Sequence, residues 1–303
     1  MINFLKKQRL RYLRKMMFLP QEHYVRYSYE YYTGKKLNLE NPKEYNEKIQ
    51  WLKVFYKPKI LNQLVDKYAV RQYVIDVIGQ EYVNECYGVY DSVKEINFDS
   101  LPNQFVIKGV HGSGFNLIVK DKTTLDWNKS KKLLNKWMRI NQYYKTGMEW
   151  AYKDVKPRLT VEKYLNEEGK DVINDYKFFC FNGKPQFLQI DIERGIKDYR
   201  CFYDINWVKQ PFYTVGKTLM YENEVRKPSN FDEMIVLAEK LAGRLPFSRV
   251  DFYSVNGKTI FGEITFYPSD GRKDFAPKEY NLIIGDQIKL PKIPESQKEI
   301  TEY

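Results

Sequence analysis

The sequence predicts an α+β fold in which two mixed subdomains follow a helical N-terminal segment. Three observations carry that expectation. An apolar strand beginning at Phe105 runs through Lys108 into a turn that holds Gly109, Gly112 and Gly114. A second stretch, 246–268, alternates apolar and polar residues around Asn256 and Gly257, the pattern of an antiparallel hairpin. Elsewhere apolar residues recur at helical spacing.

In chain order, residues 1–60 read as mostly helical. Segment 4–19 forms a basic amphipathic helix, with Leu5, Tyr12, Leu13, Met16 and Met17 on one side and Lys6, Lys7 and Arg14 opposite. Pro42 opens a helix carrying Glu47, Ile49, Trp51 and Leu52, and Pro58 marks its end. Residues 61–100 form a small mixed region, with a helix over 61–78 and a strand over 83–90. Residues 101–160 form a glycine-loop subdomain. Strands at 105–108 and 117–120 precede a helix at 131–144 whose Leu133, Leu134, Trp137 and Ile140 face the core. Residues 161–290 are strand-rich at first and continue through a helix at 234–242 into the acidic hairpin. The tail, 291–303, is polar and predicted to be loose.

Composition sets bounds. With 303 residues, 43% of them hydrophobic, the chain can bury a substantial core. Three widely spaced cysteines, Cys86, Cys180 and Cys201, suit neither a disulfide framework nor a zinc site, and two histidines exclude a histidine-rich metal centre. No apolar run is long enough to span a membrane and no secretory cleavage site is evident, so a cytoplasmic protein is predicted. The net charge of +11 implies an anionic partner. The basic 4–19 helix would either pack on the body or lie on an anionic membrane face. Nucleic acid is not expected, since no RNP-like strand, zinc knuckle or helix-turn-helix pattern occurs.

The strand–lysine–glycine order suits a phosphate cradle, because glycine backbone can approach an anion closely and Lys108 adds a point charge. We read a nucleotide or ATP site there; an ordinary hairpin would give the same local pattern. The spacing matches neither a P-loop, nor a kinase lysine, nor a dinucleotide fingerprint. In the distal hairpin the turn brings Asp251 and Glu263 side by side, a pair sufficient for Mg2+, which takes one or two carboxylates and completes its shell with water and phosphate. Two solvent-facing acids are the alternative reading.

Taken in order, Lys108 and its loop, 161–165 (VEKYL), 174–178 (NDYKF), Asp251 and Glu263 resemble the ATP-grasp superfamily. The closer likeness is to its TupA-like branch, associated with teichuronopeptide and surface-polysaccharide synthesis. Segments 45–52 (YNEKIQWL), 64–71 (LVDKYAVR), 107–114 (IKGVHGSG), 175–183 (DYKFFCFNG) and 262–266 (GEITF) carry it, from about residue 42 to about residue 290.

That resemblance implies two α+β subdomains clasping ATP. Lys108 and the backbone of His111, Gly112, Ser113 and Gly114 would grip its phosphates. The hinge of Glu162, Lys163, Tyr164 and Leu165 would meet adenine, and Asp175 the ribose. Asp251, Glu263 and Thr265 would hold Mg2+, with Thr265 standing where many relatives carry asparagine. Lys177 would point to the phosphates or the acceptor, and Arg249 would neutralise the transferring phosphoryl group. The implied reaction is ligation of a carboxylate to an amine through an acylphosphate, the carboxylate belonging to an anionic glycan or its precursor. A rival reading is a glycosyltransferase using Asp191 and Glu193 as a D-x-D-like metal pair, on one face of a strand. A third is a non-catalytic polysaccharide-binding protein.

Overall fold

The computed structural model describes Tyr12 and residues 18–167, 172–193 and 195–303. Apart from Tyr12, Phe18 and Leu19, the basic helix expected at 4–19 lies outside the described residues. The helical layer comprises α1 (Gln21–Thr33), α2 (Tyr45–Phe55), α3 (Ile60–Val65) and α4 (Val70–Val77). Helix α2 is held at its start by a reciprocal box: the Glu44 side chain accepts an amide of the first turn, and Glu47 accepts the Glu44 amide.

A four-stranded antiparallel sheet follows, made of β1 (Cys86–Tyr90), β2 (Phe105–Gly109), β3 (Asn116–Val119) and β4 (Leu159–Lys163) in the order β1-β4-β2-β3. Helices α5 (Trp127–Met138) and α6 (Gln142–Lys145) are inserted between β3 and β4. Phe105, Ile107 and Phe115 pack with Leu134 and Trp137 of α5 into the small core of this unit.

The larger sheet runs β11-β10-β5-β6-β7-β9, built from β5 (Asp175–Phe181), β6 (Lys184–Ile192), β7 (Tyr199–Asp204), β9 (Leu219–Met220), β10 (Phe247–Val255) and β11 (Lys258–Thr265). Between them lie β8 (Tyr213–Thr214), which pairs with β12 (Phe275–Ala276), and α7 (Phe231–Ala242); α8 (Tyr280–Gln287) closes the unit. Every residue of β5 is buried, because both faces of the sheet are covered. On one face Phe178 stacks on Phe231 of α7 at 5.9 Å. On the other, Phe179, Phe187 and Phe247 form an aromatic cluster that Tyr45 of α2 caps edge-on, 5.6 Å from Phe247.

Several expected elements differ. The helix predicted over 61–78 is two, because the Asp66 carboxylate caps the amides of Tyr68 and Ala69 and restarts the chain direction. The helix predicted at 131–144 starts at Trp127, where Asp126 accepts the Lys129 amide, and stops at Met138; Gln142–Lys145 is separate. Leu133, expected in the core, is exposed, since Ser130, Leu134 and Trp137 form the buried stripe. The strand predicted at 83–90 begins at Cys86, and the helix predicted at 234–242 begins at Phe231. The tail is not loose: Ile300 bonds to Phe55 and Lys57, and Tyr303 accepts the Arg244 amide. The small sheet draws β1 and β4 from beyond the 101–160 division, because strand pairing joins segments that are distant in sequence. No described helix is long and apolar enough to cross a membrane.

Helix α8 sits so close to the start of α2 that a Cβ on Gly285 would overlap the Lys43 carbonyl and stand 2.8 Å from the Tyr45 nitrogen. Both obstacles are backbone. Gly285→Ala is therefore expected to lower stability by about 1–3 kcal/mol in thermal or denaturant unfolding, although alanine is the better helix former. A variant as stable as the parent would show that the two helices are free to part.

Candidate active site

The glycine loop joins β2 to β3. Of its glycines only Gly114 takes a left-handed φ, +73°. Gly109 and Gly112 serve a different purpose from the backbone freedom expected of them: a Cβ on either would collide with the Phe115 ring, at 2.9 and 2.7 Å. His111 points inward, its Nε2 3.0 Å from the Trp137 carbonyl, and burial lowers its imidazole pKa. Its side chain packs the subdomain, which leaves the loop backbone and the exposed Ser113 as the parts open to a ligand. Lys108 projects from β2 and its Nζ lies 2.7 Å from Glu162 Oε2 on β4. Lys108, Lys163, Tyr164, Leu165 and Asp175 all line one cleft of 680 Å³ between the two sheets.

Across the larger sheet, strand register sets a row of residues side by side: Phe202, Gln189, Lys177, Asp251 and Glu263, on β7, β6, β5, β10 and β11. A one-residue bulge after Asp251 leaves the pairing with Glu263 intact, and Asn256 and Gly257, at φ 51° and 76°, form the expected left-handed turn. Lys177 is buried, and its Nζ is 3.2 Å from Asp175, 3.4 Å from Asp191 and 3.3 Å from Asp251. Burial alone would lower its pKa, but Asp251 and Asp175 outweigh burial and raise it. Arg249 clamps Asp251 through two bonds of 2.7 and 2.6 Å and reaches Glu263 and Thr265 Oγ1 at 3.3 Å each. Asp191 also accepts from Arg200 at 2.7 Å; against the upward push of burial, Lys177 and Arg200 hold its carboxyl at about 2.

The three oxygen donors expected to hold Mg2+ therefore converge on one guanidinium. Their chemistry fits a hard cation that needs only one or two carboxylates plus phosphate and water. Asp251 is deeply buried between Arg249 and Lys177, whereas the Glu263 side chain is 35% exposed. The D-x-D-like pair does not assemble. Glu193 lies past the end of β6 with φ at 51°, so strand alternation no longer aims it alongside Asp191.

Two features were missed in sequence. Lys67 donates to the Gly112 carbonyl at 2.8 Å and lies 3.6 Å from Glu263, bridging the glycine loop and the acidic hairpin. The segment 64–71 was legible as a family signature, but nothing in it announces a bridge. The second feature is the loop after β11, where Ser269, Asp270 and Gly271 are all left-handed, with φ of 52°, 58° and 60°. Helix α2 holds it: Gln50 donates to the Asp270 and Gly271 carbonyls at 2.7 and 2.9 Å, and the buried Lys53 pairs with Asp270.

A clasp of two sheets, with a lysine and glycine loop on one and paired carboxylates on the other, defines the class of nucleotide-grasping α+β proteins. The TupA-like ATPgrasp family matches residues 47–289, and the chain belongs to that family. No curated protein matches it. Among solved structures, D-alanine–D-alanine ligase from Bacillus anthracis in complex with ATP superposes at a TM-score of 0.39 with 14% identity, over 68% of this chain and 55% of that one. A second structure of the same enzyme gives 0.42 and 15%, over 76% and 68%. L-amino acid ligase from Bacillus licheniformis gives 0.44 and 11%, over 79% and 53%. The chain thus spans little more than half of the first and third of these proteins, and the family assignment rests on the match over 47–289.

Beside the left-handed loop, burial and then Asp270 raise the Glu149 carboxyl from 4.5 to about 8, against the pull of Lys53 and Arg272. A folded-state value above the unfolded one means that the folded protein keeps a proton the unfolded chain has released across that window. This group's contribution to stability accordingly falls as pH rises from about 4.5 to about 8. The melting temperature of Glu149→Gln is expected to fall less over this range than that of the parent. Parallel pH profiles would rule out titration of this carboxyl.

Proposed function

We propose that this protein is an ATP-dependent carboxylate–amine ligase acting on an anionic glycan or glycan precursor in surface-polysaccharide synthesis. The observation that carries the reading is the register that sets Asp251, Glu263, Thr265 and Arg249 together and, through Lys177, next to Asp175 on the wall of a cleft that Lys108, Lys163, Tyr164 and Leu165 also line. The hinge segment and Asp175 supply the nucleoside end, and Lys108 with the glycine-loop amides the phosphate end.

A carboxylate and a γ-phosphate repel each other, so in-line transfer needs fixed positive charge at short range. Arg249 supplies it from a position already locked by Asp251. Mg2+, when bound by Glu263, Asp251 and Thr265, would neutralise phosphate charge. Lys177 keeps Asp175, Asp191 and Asp251 from repelling one another and so fixes where Asp251 points. The phosphorylated carboxyl would then be attacked by the amine, giving the amide with release of ADP and phosphate. The net charge of +11 favours an anionic acceptor. The reading extends to a cytoplasmic enzyme whose basic 4–19 segment touches an anionic membrane face, supported by the charge of that segment alone.

Glu263→Gln is the cleanest test, since the side chain is partly exposed and the change keeps its shape. The parent is expected to bind ATP more tightly with Mg2+ than with a chelator in calorimetry. The variant should lose most of that difference, and Mg2+-dependent ADP release with a uronic-acid glycan and an amine should drop on the order of 100-fold or more. Undiminished ADP release would remove Glu263 from the chemistry.

Lys108→Met should weaken ATP binding by about tenfold or more, through loss of a charge-assisted phosphate contact. Because it also leaves the buried Glu162 without its 2.7 Å partner, Lys108→Met/Glu162→Gln serves as the folded control. ATP affinity equal to the parent in both would refute the phosphate role of this loop.

A further inference from the structure

A second cavity, of about 40 Å³, opens beside Arg249 and shares no lining residue with the nucleotide cleft. That volume is room for about three water-sized atoms. Arg200, Arg249 and Lys273 line it, with Gln189 and Thr214. Two of these cations are already engaged: Arg200 by Asp191 and Thr214, Arg249 by Asp251. Lys273 differs. It is half-buried, its ammonium forms no hydrogen bond or ion pair with the described residues, and burial together with Arg200 lowers its pKa. Tyr45 lines the same cavity and is 2% exposed.

A cation without an anion, at position 273, thus shares one small space with two arginines. The surroundings are built to keep it there. Asn46, next to Tyr45 on α2, donates to the Lys273 carbonyl at 2.9 Å and to Asp274 at 3.0 Å. Gln50 and Lys53, one and two turns further along α2, hold the left-handed loop that ends at Gly271. The segment 45–52, unexplained by the nucleotide cleft, thereby acquires a task.

We infer that this cavity is a recognition subsite for a carboxylate on a substrate of the ligation, other than the carboxylate that is activated. This deepens the ligase reading and rests on it. The size suits a carbon and two oxygens better than a phosphate, and Lys273 adds an unengaged donor to the two arginines. A carboxylate held by that many donors has its lone pairs engaged and is a poor nucleophile, so it serves to position its carrier. The substrates together then carry at least two carboxylates.

Calorimetry on the full chain with glucuronate, glucose and inorganic phosphate, with and without ADP and Mg2+, tests this. Glucuronate should bind without nucleotide and glucose should not. Lys273→Met and Lys273→Gln should each weaken glucuronate about tenfold or more while leaving ADP affinity unchanged. Both variants should melt at or above the parent temperature, since neither removes a partnered group. The subsite is wrong if glucuronate fails to bind the parent, if glucose matches it, or if both variants bind it like the parent. Phosphate binding that is stronger than glucuronate and blocked by ADP would instead make the cavity part of the nucleotide site. Failure of the parent to bind ATP with Mg2+ would strike the ligase reading, and the nucleotide-free glucuronate isotherm would still report on the cavity alone.

Discussion

One buried ammonium organises the larger sheet. Lys177 stands among Asp175, Asp191 and Asp251, three carboxylates drawn from β5, β6 and β10, and Arg200 and Arg249 extend the alternation of charge at either side. Taking so many charges from water is expensive, and the arrangement holds only because each has partners at hydrogen-bonding distance. It is consequently sensitive to geometry. Any slip of strand register would place apolar side chains beside unpaired carboxylates. The same requirement that fixes the sheet also fixes the direction of Asp251 and the guanidinium of Arg249, so the placement of these two groups follows from the cost of burial.

The glycine-loop sheet and the acidic hairpin come from different parts of the chain, and the described contacts between them are polar. Lys67 touches both, through the Gly112 carbonyl and Glu263. Arg158 anchors the neighbouring Asp66 at 2.9 Å, and its carbonyl accepts the Val110 amide, so the turn before α4 is tied to the root of the glycine loop. A nucleotide in the cleft would thus meet two sheets whose separation is governed by a few hydrogen bonds and ion pairs, an arrangement suited to closing around a charged ligand.

Much of this was legible in the sequence because it is local. The Asn256–Gly257 turn specifies a hairpin, and a hairpin of known register puts Asp251 against Glu263 without any knowledge of the rest of the chain. The strand leading into Lys108 was equally plain. What stayed hidden depends on long-range contact. Asp66 breaks a helix whose apolar spacing runs on unbroken, and the break shows only through its caps. Gly109 and Gly112 look like conformational devices, yet their smallness serves the Phe115 ring. Asp191 and Glu193 have chelating spacing on paper, but the strand ends between them. Asn46 and Lys273 meet across most of the chain, beyond the reach of any spacing argument.

The three consecutive left-handed residues after β11 carry a consequence for sequence change. At Ser269 and Asp270 a β-branched side chain would be strained by its own backbone, and at Gly271 a methyl group would press to 2.8 Å from Ile49. The permitted alphabet at these positions is therefore short: serine, asparagine, aspartate and glycine at the first two, glycine at the third. Random mutagenesis with selection for folding would leave this triplet among the least variable stretches of the surface-proximal chain. Change in the lining of the cavity beside Arg249 is freer at Lys273 and Thr214, whose backbones impose no such restriction.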